Sequence, residues 1–319
     1  MTKPRPGLTL LYPLFVLSGA AGLGCQMVWV RMFAAGLGHE TPALFTVTTA
    51  FLGGLALGAW FLDQPIRRSA NPARWYGGIE LAIGTFALLS ALLIPFVNEL
   101  ALRLTGPSPS ALLQWFVVFA LPFLTLLPAT AAMGATLPAM ERVLAPSSSD
   151  GRCVGALYAA NTFGAVLGVL GSVFLLMPTL GFRSSLVALA ALNVLCGMTV
   201  LTMFKPGASG TTKLSNRARQ RRKESEPLHV GGVAKPISTA RLAVTLFVTG
   251  LLGIGFELVA VRALSQVLEN TVYTFASALA VYLIGTALGA ALYQRYGRNR
   301  PFIPTLSSLL AALACACLV

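Results

Sequence analysis

The chain has 319 residues, 56% of them hydrophobic and only 10% charged, with a formal net charge of +13; its mean hydropathy is +0.76. A soluble domain carries about 25% charged residues, so there is too little polar surface here to cover a water-exposed globule. The basic excess would suit a nucleic-acid partner, but it is concentrated between apolar runs, a topology signal that argues against nucleic acid.

Nine apolar stretches approach the roughly 20 helical residues that a bilayer crossing needs. They cover residues 8–31, 42–62, 75–97, 111–140, 154–178, 184–204, 242–261, 272–293 and 301–319. The first is too long for a signal-peptide core and is followed at once by further spans, so it is expected to stay as the first helix. With the N-terminus in the cytoplasm, the inside segments hold 19 of the 23 Lys and Arg residues, as the positive-inside rule demands. The other four, Arg31, Arg103, Arg183 and Arg262, fall toward the outside. A multi-pass protein of the inner (plasma) membrane, surrounded by lipid, is expected.

Small residues recur every four positions in the second span (Ala50, Gly54, Gly58), the fifth (Ala160, Gly164, Gly168) and the eighth (Gly285, Gly289). That spacing stacks them on one helix face and lets two backbones approach, so tight pairing is expected of all three spans. Asp63 closes the second span and is followed by Arg67 and Arg68, which resembles a loop motif of major-facilitator transporters. His39 and Glu40 lie in a short outside loop and make no recognisable site. Tyr158 and Asn161 in the fifth span need interhelical partners. The five cysteines fall in or beside spans and suggest neither a zinc site nor a disulfide framework. No metal site is expected.

Residues 1–204 form a first six-span half. Residues 205–241 are a polar, basic, flexible linker on the cytoplasmic side, and the run at 216–223 is placed to meet anionic lipid headgroups. Residues 242–319 begin a second half. Ser18-Gly-Ala-Ala-Gly-Leu-Gly-Cys-Gln-Met-Val-Trp-Val-Arg31 aligns with Thr249-Gly-Leu-Leu-Gly-Ile-Gly-Phe-Glu-Leu-Val-Ala-Val-Arg262, and the same offset of 231 carries Gly54 and Gly58 onto Gly285 and Gly289. Thirteen of 45 ungapped positions are identical. Six spans separate the repeat starts, so both copies enter from one side, as in the parallel halves of major-facilitator folds. The fold expected is an all-α polytopic membrane protein with a major-facilitator-like parallel repeat: six spans plus a truncated second half of three.

Ionisable groups inside spans cost about 2.5–3.5 kcal/mol each at the bilayer centre on insertion scales. Glu80, Glu257, Arg31 and Arg262 are therefore the candidate substrate-binding residues. Glu257 and Arg262 are five apart, roughly 140° around a helix, and should find partners on other helices. Gln26 stands at the first-copy counterpart of Glu257, which suits a site used once. The arginines can also reach the outer interface by extending their long side chains.

Six ordered stretches carry a resemblance: Ser18-Gly-Ala-Ala-Gly22 through Val28-Trp-Val-Arg31, Gly54-Leu-Ala-Leu-Gly58, Tyr76-Gly-Gly-Ile-Glu-Leu-Ala-Ile-Gly84, Met133-Gly-Ala-Thr-Leu-Pro138, Leu157-Tyr-Ala-Ala-Asn-Thr-Phe-Gly-Ala165 and Pro178-Thr-Leu-Gly181. They resemble the membrane region of spermidine-synthase-like proteins, the fused major-facilitator/polyamine aminopropyltransferase family. Gln26 and Cys25 depart from the family's usual Glu and Tyr. The resemblance implies a soluble Rossmann-like transferase domain, in the same protein or a partner subunit, using decarboxylated S-adenosylmethionine as co-substrate. No such domain is recognisable in this sequence, so no catalytic residue is assigned and no cofactor is expected within the chain. The expected function is to anchor or serve that catalytic domain. A transporter of a small, cationic metabolite and a structural subunit of a membrane complex are the alternatives.

Overall fold

The computed structural model describes residues 10–38, 40–106, 110–144, 152–204, 239–267, 271–292 and 302–318. The expected linker 205–241, including the basic run 216–223, lies outside the described residues up to 238. Among the described residues there is no strand. The helices are α1 (Leu11–Leu37), α2 (Glu40–Arg68), α3 (Pro72–Thr105), α4 (Ala111–Gly134), α5 (Thr136–Leu144), α6 (Arg152–Gly171), a π-helical turn (Ser172–Leu176), α7 (Met177–Met203), α8 (Thr239–Val267), α9 (Val272–Leu292) and α10 (Phe302–Leu318).

Helix ends follow local chemistry. The Asn71 side chain accepts from the Arg74 N–H at 3.4 Å and Pro72 follows at the first helical position, where its missing N–H leaves nothing unsatisfied. Ser110 caps α4 in the same manner, accepting from the Leu113 N–H. Gly38 ends α1 at φ 77°, donating to the Ala34 carbonyl, a left-handed conformation that glycine adopts without steric cost. Pro65, Pro95, Pro122 and Pro128 sit inside helices, a tolerance usual where neighbouring helices re-satisfy the freed backbone.

Seven helical stretches among the described residues are long and apolar enough to cross a membrane. One of them, Gly155–Met203, runs 49 residues, which would be roughly 74 Å if straight, more than twice a hydrocarbon core. It is not straight. Gly181, at φ 77° and ψ 175°, breaks the helix, and the contacts of its two arms run in opposite directions along α1. On α6, Gly164 meets Val16 and Gly168 meets Ala20, and Ser172 of the π-helical turn meets Gly24, so α6 is parallel to α1. On α7, Cys196 meets Leu14 while Leu189 meets Gly24, so α7 is antiparallel. The two expected spans are therefore distinct, joined by a reversal at one glycine rather than by a loop.

The same bookkeeping orders the rest. Phe15 meets Tyr76 and Trp29 meets Ser90, so α3 is parallel to α1. Gln26 faces Thr48 and Arg31 faces Glu40, so α2 is antiparallel. Ala50 faces Thr130 and Asp63 faces Arg142, so the α4–α5 arm runs with α2. Phe174 meets Tyr273 and Tyr158 interacts with Tyr282, so α9 opposes α6. From α1 to α7, successive long helices alternate in direction.

Trp29, Tyr76, Phe15 and Phe33 fill the centre of the six-helix bundle. Its outer faces are apolar: Leu112 is 85% exposed, Trp60 80% and Phe116 70%. Exposed apolar area on this scale marks a surface meant for lipid or protein. Where lipid is the solvent, helices are held together by close packing more than by the hydrophobic effect. A Cβ on Gly58 would overlap the Ala131 carbonyl; on Gly164, that of Val16; on Gly168, that of Ala20; and on Gly54, the Thr130 side chain. For the third stripe the outcome differs: among the described residues, a Cβ on Gly285 or Gly289 meets nothing within 4 Å. α9 buries the face bearing Phe275, Ala276 and Ala280 instead, so its glycines point away from the helix it packs on. Of the ninth expected span, 301–319, the described residues form a 17-residue helix, α10.

Candidate functional site

Glu80 lies at the meeting of α1, α3 and α7 and is completely buried. The helices close on it through glycines: Gly77 approaches the Gly197 carbonyl, and a Cβ on Gly197 would stand 3.2 Å from the Glu80 Cβ. Ser18, Tyr76 and Cys196 are the side chains that interact with the carboxyl. Neither carboxylate oxygen completes a hydrogen bond of good geometry, nor does the Tyr76 hydroxyl. Cys196 donates to the Leu14 carbonyl at 3.4 Å, and the Asn193 amide nitrogen, one turn away, donates to the Leu189 carbonyl. This is a sealed polar cluster in an apolar core.

The arginines form a second cluster. Arg31, near the end of α1, pairs with Glu40. Arg262, near the end of α8, reaches the Thr41 hydroxyl at 3.4 Å. Residues related by the 231-residue offset thus converge on two consecutive residues that open α2. Glu40, expected in a loop without a role, is the counter-ion of this cluster. At the other end of α2, Asp63 pairs with Arg67 on its own helix at 2.8 Å and with Arg142 of α5.

Glu257 occupies a third place. It lines a cleft of about 750 Å³ between α8, α9 and the π-helical turn, with Phe174, Phe256, Tyr273 and Tyr282 among its walls. Tyr282 stands within interaction range of both Glu257 and Tyr158. Phe174 and Tyr273 pack with ring centroids 5.3 Å apart. Glu80 is absent from the lining of this cleft. Its face of α3 is turned onto α7 by the Gly77–Gly197 approach.

The partners of these groups were only faintly marked in the sequence. Tyr76 precedes Glu80 by four residues, the spacing that shares a helix face. Ser18 aligns with Thr249, a hydroxyl in both copies. Nothing local marks Cys196, Glu40 or the aromatic walls of the cleft, which come from distant segments.

Over 196 residues the chain is 26% identical to a polyamine aminopropyltransferase from Corynebacterium efficiens (strain DSM 44549 / YS-314 / AJ 12310 / JCM 11189 / NBRC 100395). The chain is similar to a polyamine aminopropyltransferase. The alignment covers 60% of this chain and 34% of that protein, so the chain spans about a third of the length of the curated relative it matches. No family model and no solved structure matches. A distant, spermidine-synthase-like relationship is what this identity supports.

Proposed function

We propose that this chain is the membrane region of a spermidine-synthase-like protein and that it anchors or serves an aminopropyltransferase domain outside this sequence. The observation that carries the reading is the 26% identity to a polyamine aminopropyltransferase over 196 residues, in a chain whose described residues are helical throughout, without a sheet. A Rossmann-like transferase is built on a sheet, which supports a role for these helices beside catalysis. In that reaction an amine nitrogen attacks the aminopropyl carbon of decarboxylated S-adenosylmethionine. The C–N bond forms as the C–S bond breaks, and methylthioadenosine and a proton are released. The membrane is the inner (plasma) membrane and the N-terminus is cytoplasmic, on the distribution of basic residues.

The test is purification through an N-terminal tag from the native membrane, followed by intact mass of every component and an assay of aminopropyl transfer to putrescine. Transfer activity that copurifies with the chain, and disappears from the membrane fraction when its gene is deleted, is the expected result. A pure chain with no catalytic companion and no effect of deletion on transfer would sink the proposal.

A second reading, a major-facilitator-like transporter, is favoured by the convergence of Arg31 and Arg262 on α2. Two repeat-related arginines at one end of the molecule suit two halves packed around a common axis. Uptake of a radiolabelled metabolite into proteoliposomes separates this reading from anchoring.

A further inference from the structure

We propose that the cleft between α8, α9 and the π-helical turn is a binding site for a small primary alkylammonium ion, with Glu257 as its counter-ion. The inference rests on neither reading above and holds whether the chain accompanies an enzyme or moves a solute.

The walls decide the class of ligand. A cleft of about 750 Å³ is within the range of small-molecule sites, about 300–1,000 Å³, and far larger than a bare metal ion needs. Hard cations take several oxygen ligands at once, whereas this lining offers one carboxylate, a few hydroxyls and mostly apolar surface. Phe174, Phe256, Tyr273 and Tyr282 present aromatic rings, whose faces attract organic cations, more strongly once water is removed. An ammonium group fits both features: three N–H donors for Glu257 and neighbouring hydroxyls, and an alkyl chain for the apolar wall. Among the described residues of the lining there is no lysine or arginine. Arg262, five residues on from Glu257, is turned toward Thr41 instead.

The backbone supplies an independent sign. Phe174 sits in the π-helical turn Ser172–Leu176, and such single-turn insertions into α-helices occur frequently at functional sites. Here the turn belongs to the wall of the cleft, and its Phe174 ring is braced by Tyr273. A carboxylate, aromatic walls and a local backbone departure thus coincide at one place.

The test is isothermal titration of the full chain in lipid nanodiscs with n-butylammonium chloride, at constant ionic strength, using 1-butanol as the uncharged isostere. Butylammonium should bind wild type at least tenfold more tightly than butanol, and Glu257→Gln should remove that difference while leaving butanol binding unchanged. Phe256→Ala should weaken butylammonium by about threefold to tenfold. Ser277→Leu narrows the cleft without touching the charge and should also weaken it, which keeps the question decidable if Glu257→Gln fails to fold. Equal binding of butylammonium and butanol would make the cleft an apolar seat for a lipid chain and overturn the proposal. So would full butylammonium binding by monodisperse Glu257→Gln or Ser277→Leu protein. The readout is heat of binding to this chain, so absence of aminopropyl transfer leaves it untouched.

Discussion

Arg31 and Arg262, separated by 231 positions in the sequence, meet at the first turn of α2, where one pairs with Glu40 and the other reaches Thr41. Two helices that begin alike thus end at one spot, and α2 starts where they meet. The Arg31 and Glu40 side chains are 33% and 23% exposed, so screening by water limits the strength of their pair. Arg31→Gln should cost about 0.2–1 kcal/mol, the range for exposed pairs. The swapped double variant Arg31→Glu with Glu40→Arg should recover part of that loss in detergent thermal-unfolding curves. A swap no more stable than either single reversal would show that the pair contributes no coupling.

Trp29 of α1 donates its indole N–H to Ser90 of α3 at 2.8 Å within the core, and the Ser90 hydroxyl donates in turn to the Ala87 carbonyl at 2.7 Å. Interhelical hydrogen bonds in membranes average about 0.6 kcal/mol and reach about 1.7. Ser90→Ala and Trp29→Phe should each destabilise, and a double-mutant cycle should return a coupling in that range. A coupling of zero would mean the two groups are equally content apart.

The small-residue stripes give a contrast within one protein. Gly168→Ala places a methyl group into the Ala20 carbonyl, and Gly164→Ala into that of Val16. Overpacking of this kind typically costs about 1–3 kcal/mol. Gly289→Ala adds a methyl group to open space and should leave the melting temperature unchanged. Fluorescence-detected gel filtration after graded heating compares the three variants directly, and equal behaviour would contradict the packing assigned to α6.

Glu80 is enclosed so tightly that shape matters as much as charge. Glu80→Gln keeps the outline of the side chain and should yield a monodisperse protein. Glu80→Lys lengthens the side chain against α7 and leaves an ammonium without a counter-ion, at a cost on the order of several kcal/mol. Aggregation of the Gln variant, or full recovery of the Lys variant, would contradict the sealed site.

Hydropathy made the crossings legible because a long apolar run has few other uses, and the four-residue glycine spacing marked the faces of α2 and α6. The same spacing in α9 did not announce a contact: periodicity defines a face but says nothing about what covers it. Glu80 and Glu257 stood out as charges in apolar runs, yet their separation into different sites depended on how α3 packs on α7. The π-helical turn left no trace, since Ser172-Val-Phe-Leu-Leu176 is ordinary helical sequence and the extra residue in the turn is absorbed through packing. Glu40 was overlooked because its partner belongs to the preceding helix, beyond the reach of local pattern.

The reversal at Gly181 also bears on how the protein reaches its membrane. Residues 178–184 hold a single charge, Arg183, and the two arms meet at Gly181, inside α7, without a hydrophilic loop. A guanidinium held at the bilayer centre costs about 2.5–3.5 kcal/mol on insertion scales, and Arg183 is the one such charge at this turn. With one charge to carry across, the two arms can enter the bilayer together as a helical hairpin.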